Sequence, residues 1–273
     1  MPNVLQTAEE EPNYKRPPIK VRSFEVESKI DSSQFERLTP AWLQHVLASQ
    51  SYPRQQLQQR WDFFIRENKK GVPVPKGVLT NVPRLYEESA NGRLSRSIDV
   101  YPPKEDDTAK LIFTLYRPTK SVTRYTQLRN EVTRWLFSWM ENYHSAGLGG
   151  IRLRYDNELT PTEYPSFWGE RGLELGRILN FFSQNPAPTG KFSPPFRTEL
   201  NLIVDESGPT YMRTELVSNP PEKGFRVSFE YISTRKIFNR SAQDCLADMD
   251  HGHGLILDHF EKHFSKEALA AFK

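Results

Sequence analysis

Two rhythms of hydrophobic residues alternate along this chain, a period of two and a period between three and four, and the changes of rhythm divide it into strands and helices. After Pro17-Pro18, the alternation from Ile19 to Ser28 predicts a strand. Thr39-Pro40 reads as a helix start, Thr39 capping it and Pro40 in the first helical position, with Trp42, Leu43, Val46 and Leu47 on one face. The stretch from Lys69 to Pro83 reads as a loop, because its prolines interrupt both regular structures. Asn91-Gly92 predicts a hairpin turn between strand-like runs at Leu85 and at Ile98 to Tyr101. Lys110 to Tyr116 is a further strand. Tyr125, Leu128, Val132, Trp135, Trp139 and Tyr143 then mark a long helix ending near His144.

The same order recurs after Gly149-Gly150. Ile151-Arg152-Leu153-Arg154 echoes Ile19-Lys20-Val21-Arg22 and opens a strand that runs to Glu158. Ser166 reads as the cap of a helix bearing Trp168, Leu175, Leu179 and Phe182, with Gly169, Gly172 and Gly176 allowing close packing. A second proline-rich loop spans Asn185 to Pro195. Strands flank Asp205-Glu206-Ser207-Gly208, a third alternates from Phe225 to Tyr231, and helices close the chain from Asp244 to His263 and beyond Ser265. The fold class that follows is α+β, with two pseudo-duplicated β-α-β-β-β-α halves, residues 15–147 and 148–273, behind a flexible tail of residues 1–14. Hairpins pair locally, so the halves are expected to share one unit with a mostly antiparallel curved sheet and helices on one face.

Composition narrows the function more than the fold. Lys and Arg number 37 against 34 Asp and Glu, a formal charge of +3, too weak to mark a dedicated nucleic-acid binder. Cys245 is the single cysteine, so no internal disulfide forms. The acidic start has no signal-peptide pattern, and no apolar run reaches the roughly 18 residues of a membrane span. These features predict a soluble cytoplasmic protein that does not engage a membrane. No dinucleotide fingerprint, nucleophile elbow or Cys-x-x-Cys is present, so no cofactor is expected and catalysis is the weaker reading.

Three groups of residues carry candidate chemistry. Arg152 and Arg154 alternate with Leu153 and Tyr155, which aims both guanidiniums at one sheet face, and Arg22 joins them if the halves are symmetric. With Tyr155 and Asn157 they form a candidate anion- or partner-binding set. The same arginines can instead pair across strands with Glu199, Glu215 or Glu230. Around the central helix, Arg117, Lys120, Arg124, Arg129 and Arg134 interleave with Tyr116, Tyr125 and Trp135, an alternative surface for single-stranded nucleic acid; the aromatics also follow the buried period, which makes the arginines a solvated face. His251, His259 and His263 offer metal-ligand spacing, with Asp248, Asp250 or Asp258 as oxygen donors, and a metal-dependent hydrolase is the third reading. Against it, His259-Phe260-Glu261-Lys262-His263 lacks a Glu directly after its first His, and His253 falls on the stripe of Leu246, Met249, Ile256 and Phe260 as a core histidine would.

Arg154-Tyr155-Asp156-Asn157, Phe229-Glu230-Tyr231, the C-terminal His253, Phe260-Glu261 and Phe272, and the opening Tyr14-Lys15-Arg16-Pro17-Pro18-Ile19 together resemble a sporadically distributed, functionally uncharacterised bacterial protein family of about this length. The resemblance spans nearly the whole chain and implies a bacterial setting, with no established active site to carry over. Sporadic distribution fits defence, antitoxin or immunity-type roles. The expectation is therefore a non-enzymatic binding or interaction protein whose partner is another protein, presented with a sheet face and proline-rich loops.

Overall fold

Alternation of apolar and polar residues builds one large antiparallel sheet, and it does so with more strands than the proline pattern predicts. The computed structural model describes residues 18–67, 73–103, 107–116, 125–144, 147–169, 172–180, 197–205, 210–218, 224–234 and 238–273. In chain order these form β1 (Ile19–Lys29), α1 (Ser32–Ala48), β2 (Arg54–Glu67), β3 (Pro73–Glu88), β4 (Leu94–Tyr101), β5 (Thr108–Tyr116), α2 (Tyr125–Asn142) and β6 (Gly147–Leu159). Then come β7 (Trp168–Gly169), β8 (Gly172–Leu173), α3 (Leu175–Ile178), β9 (Arg197–Asp205), β10 (Thr210–Ser218), β11 (Phe225–Ser233), α4 (Ala242–His263) and α5 (Lys266–Phe272). Nine strands make one curved, open sheet in the order β2-β3-β4-β5-β1-β6-β11-β10-β9, and every neighbouring pair is antiparallel. The expected α+β class, with helices on one face of a curved antiparallel sheet, is the one observed.

β1 and β6, whose openings echo each other, lie side by side at the middle of the sheet. Phe24 and Val26 of β1, Leu111 and Phe113 of β5, Leu153 and Tyr155 of β6, and Phe229 and Tyr231 of β11 turn to the helical side and are buried there. Against them pack α2 on β1 and β5, and α4 on β6 and β11; α2 also meets α4 and α1. Trp135 and Trp139 of α2 bring the largest side chains into this core, and Trp42 of α1 meets the Trp139 ring edge to face at 5.0 Å. Among the described residues no helix is long and apolar enough to cross a membrane.

Several boundaries differ from the sequence expectations. α1 begins eight residues before Pro40, because Asp31 caps it by accepting from the Gln34 backbone N–H at 2.8 Å. Pro40 sits inside the helix on its exposed side, and Thr39 is buried with its hydroxyl bonded to the Tyr143 hydroxyl. The first proline-rich stretch is not a loop from Pro73 onward but strand β3, paired with a strand, β2, that the sequence reading left out. The helix expected after Ser166 is a 3-10 turn at Pro165–Phe167, the small hairpin β7-β8 and the four-residue α3. Gly169 and Gly172 face each other across that hairpin instead of lining a helix. Phe182 and the loop from Asn185 to Pro195 lie outside the described residues. The first half carries four strands after its first helix, and α1 has 17 residues against 4 in α3, so an element-for-element repeat of the halves is not seen among the described residues.

Candidate functional site

The two faces of the central strands carry different chemistry, and a single irregularity decides which arginine goes where. From Ile151 onward β6 alternates regularly, so Ile151, Leu153, Tyr155 and Asn157 face the helices, while Arg152, Arg154 and Asp156 face away. β1 shifts register against β6 between Ile19 and Val21, and one extra residue reverses the alternation. Ile19 and Arg22, three residues apart, therefore both face the helices. Arg22 is buried with its guanidinium 4.8 Å from the centre of the Tyr155 ring. The three arginines expected to converge thus divide, one beneath the sheet and two on its open side, and Tyr155 and Asn157 go with Arg22.

On the open side, Arg154 holds Asp156 at 2.7 Å through Nε, Glu215 and the Ser228 hydroxyl at 3.2 Å through Nη2, and Glu230 at 3.4 Å through Nη1. Glu230 also meets Arg213 at 3.4 Å and Arg152 at 3.9 Å, and it is only 2% exposed. Burial disfavours the Arg154 charge, yet Asp156, Glu230 and Glu215 together raise its pKa above the ordinary arginine value. Further along the same face Lys110 bridges Glu25 at 2.7 Å and Glu27 at 3.4 Å. Arg84 grips Asp99 with two parallel bonds, one of 2.6 Å, and both residues are buried. Each of these cations already lies against at least one carboxylate, so the face is an ion-pair lattice and not a cradle for an anion. Glu215 and Glu230 are the cross-strand partners that the alternation allowed for.

Beneath the sheet, where α2 and α4 meet the central strands, a second polar network is built from residues that sequence reasoning did not group. The Tyr155 hydroxyl and His253 Nδ1 are 2.8 Å apart, and the Tyr125 ring stacks on His253 with centroids 3.8 Å apart and planes at 10°. Tyr125 donates its hydroxyl to Asp250, which Arg129 clamps through Nε at 2.7 Å and Nη2 at 3.0 Å. Burial, and then the nearby Arg22 charge, lower the His253 pKa to about 3 against a smaller opposing effect of Asp250, so the imidazole is neutral at pH 7. Burial and the bond to Asp250 raise the Tyr125 pKa far above the ordinary phenol value. The bonds from Tyr155 to His253 and from Tyr125 and Arg129 to Asp250 tie α2 and α4 to the sheet and to each other, which makes the network a fastening between helices and sheet. Only the position of His253 on the apolar stripe of α4 signalled it in advance.

The remaining candidates are distributed. His251 is exposed and lies with Asn239, Arg240, Asp244 and Asp248 around a shallow surface pocket, where Arg240 pairs with Asp248 at 2.9 Å and Tyr231 donates to Asp248 at 2.6 Å. His259 and His263 stack with ring centres 5.1 Å apart, and His263 Nδ1 donates to the His259 carbonyl at 2.8 Å. No group of three or more His, Cys, Asp or Glu arranged to hold a metal ion is found among the described residues. Of the basic set around α2, Arg129 is bound to Asp250, and Arg134 reaches the Ser51 hydroxyl at 2.9 Å and lies over the Trp135 ring. Arg117, Lys120 and Arg124 are outside the described residues.

One region breaks this pattern of mutual satisfaction. β2 and β3 pair from Arg54 with Tyr86 out to Glu67 with Pro73, but β4 accompanies β3 only between Arg84 and Glu88. Beyond that point they continue as a two-stranded ribbon. Trp61 and Leu79 are directly opposed on it and Leu57 shares their face; their exposures are 60%, 42% and 63%. Of the large apolar side chains exposed among the described residues, all but Phe137 are on this ribbon, Val78 completing the set on its other face. A scattered exposed leucine needs no explanation, whereas a cluster of this kind marks a contact surface.

No protein-family model matches the chain, and no curated protein matches it. Among solved structures, a di-domain ARO/CYC protein, StfQ from the steffimycin biosynthetic pathway, aligns over 87% of this chain and 97% of its own at 7% identity. The TM-score of that alignment is 0.18, too low for it to bear on fold or function.

Proposed function

We propose that this chain is a non-enzymatic interaction protein that binds another protein through the β2-β3 ribbon. The observation that carries the reading is that four of the five exposed large apolar side chains among the described residues are on that ribbon, while the charged groups on the open face of the central strands pair with one another. Polar groups already holding one another have little to offer an anionic ligand, since binding it would first break existing pairs. Apolar side chains standing in water gain about 25 cal/mol for each Å² that a partner covers. The family resemblance implies a bacterial setting, and a defence, antitoxin or immunity-type system is the role that we infer for the interaction.

The reading is tested by affinity capture from bacterial lysate with the wild-type chain and with Leu57→Arg/Leu79→Arg, their folds compared by circular dichroism. Expected is a protein ligand retained by the wild type and lost by the variant. Salt-sensitive retention of single-stranded oligonucleotides, with no protein ligand that depends on the ribbon, would overturn it in favour of nucleic-acid binding.

A further inference from the structure

The two long edges of the ribbon are chemically unlike. β3 carries Pro73, Pro75 and Pro83, all in one phase of its alternation. A proline inside a paired strand is tolerated where its missing N–H would face away from the partner, so these prolines lie along the edge of β3 remote from β2. Proline is one of the devices that keep a sheet edge from recruiting another strand. β2 lacks that device: its 14 residues contain no Pro, Gly or Lys, its register against β3 shows no bulge, and of its charged residues only Arg60 and Asp62 lie within three positions of Gln59. It is also the last strand of the sheet among the described residues.

The prolines also reveal which way the β2 backbone points. Pro83 is opposite Leu57, and Pro75 opposite Ile65. Residues opposite such prolines occupy non-hydrogen-bonded positions, where N–H and C=O both turn outward. By alternation Leu57, Gln59 and Trp61 therefore present their backbone donors and acceptors to the open edge, and their side chains share the apolar face of the ribbon.

We propose that this edge is a homodimer interface: β2 pairs antiparallel with β2 of a second copy of the chain about a two-fold axis at Gln59, joining two sheets into one. The proposal rests on the ribbon reading above and names its partner. Around Gln59 the segment is self-complementary. Leu57 of each copy falls opposite Trp61 of the other, which covers the exposed side chains on one face, and Gln58 falls opposite Arg60, so no like charges oppose each other. Gln59 itself occupies the hydrogen-bonded position that the axis requires. Moving the axis to Arg60 would oppose two arginines and turn both backbones away from the joint.

The test is sedimentation velocity on the full chain over a range of concentrations. The wild type is expected to dimerise, and Gln59→Pro, which removes an outward N–H without touching the pairing to β3, is expected to be monomeric with unchanged circular dichroism. Mild oxidation of Gln59→Cys should give a disulfide-linked dimer, and that of Gln55→Cys should not, because the proposed axis separates the two copies of position 55; the native Cys245 is buried. A wild type monomeric at every concentration, or a dimer that Gln59→Pro leaves intact, overturns the proposal. If a heterologous protein is still captured by the wild type and lost by Leu57→Arg/Leu79→Arg, the broader reading survives that failure.

Discussion

The middle of the sheet and its β2-β3 end use similar strand backbones toward opposite ends. Where β1, β6, β11 and β10 run together, Glu230 alone draws three guanidiniums, from Arg152, Arg154 and Arg213, and on the helical side Asp250 and His253 are enclosed by Tyr125, Arg129 and Tyr155. On the ribbon, Leu57 and Trp61 are 63% and 60% exposed, and the strand that bears them is the end strand of the sheet among the described residues. The difference teaches that an abundance of charged residues does not by itself indicate a binding site. A charge whose neighbours already complement it contributes to the architecture, whereas an apolar side chain left in water is stabilised only when something comes to cover it.

Glu230→Ala is the sharpest way to break this contrast. Removing the shared acceptor leaves three guanidiniums without it on a crowded face, and breaking a buried ion pair in this way destabilises by about 3–5 kcal/mol, measurable by urea denaturation. Trp61→Ala, measured on dilute protein, should by contrast change stability by no more than about 0.5 kcal/mol. Equal effects of the two substitutions would remove the distinction between the buried centre and the exposed ribbon.

Packing at the centre can be probed within one helix. At Gly252 of α4 an added Cβ would lie 2.4 Å from Cδ1 of the buried Tyr231 ring, whereas at Gly254 nothing comes within 4 Å. Gly252→Ala is therefore expected to destabilise by about 1–3 kcal/mol, as overpacking does. Gly254→Ala is expected to stabilise by up to about 1 kcal/mol, because alanine favours the helix. Thermal melts of the two variants should move in opposite directions.

A pH series examines the enclosed histidine. His253 binds a proton in the unfolded chain near its ordinary value of 6.5 but in the folded chain only near about 3. Stability from its neutral form is thus fully present above pH 6.5 and declines as the pH falls through that value toward 3, since the unfolded state takes up the proton first. The limiting slope is about 1.4 kcal/mol per pH unit, and His253→Gln should lose that part of the acid sensitivity between pH 6.5 and 5, read as the difference in urea midpoints.

Much of the fold was legible because strand and helix periods are local properties. The alternation of β6 and β11, the helical stripe of α2 and the turn at Asn91-Gly92 all appear in the structure where their residues indicated. β2 was missed because its first half, Arg54-Gln55-Gln56-Leu57-Gln58-Gln59, carries almost no apolar signal, and its apolar second half, Trp61 to Ile65, is too short and irregular in period to mark a 14-residue strand. β3 was read as a loop because its prolines counted as interruptions, when their positions opposite Leu57 and Ile65 let them remain in a paired strand.

The sequence by itself determined the strand-rich character of the chain, the helices that cover the core, and the residues able to pair as acid and base across neighbouring strands. Tertiary structure decided which of those residues meet. The shifted register between Ile19 and Val21 sent Arg22 to the buried face while Arg154 stayed on the open one, and the order of strands gave Arg154 its partners on β10 and β11. The physical reason is one of range: alternation is set by successive residues, but a register shift and a strand's neighbours are chosen by the whole sheet, which gains most when buried charges are paired and apolar faces turn inward.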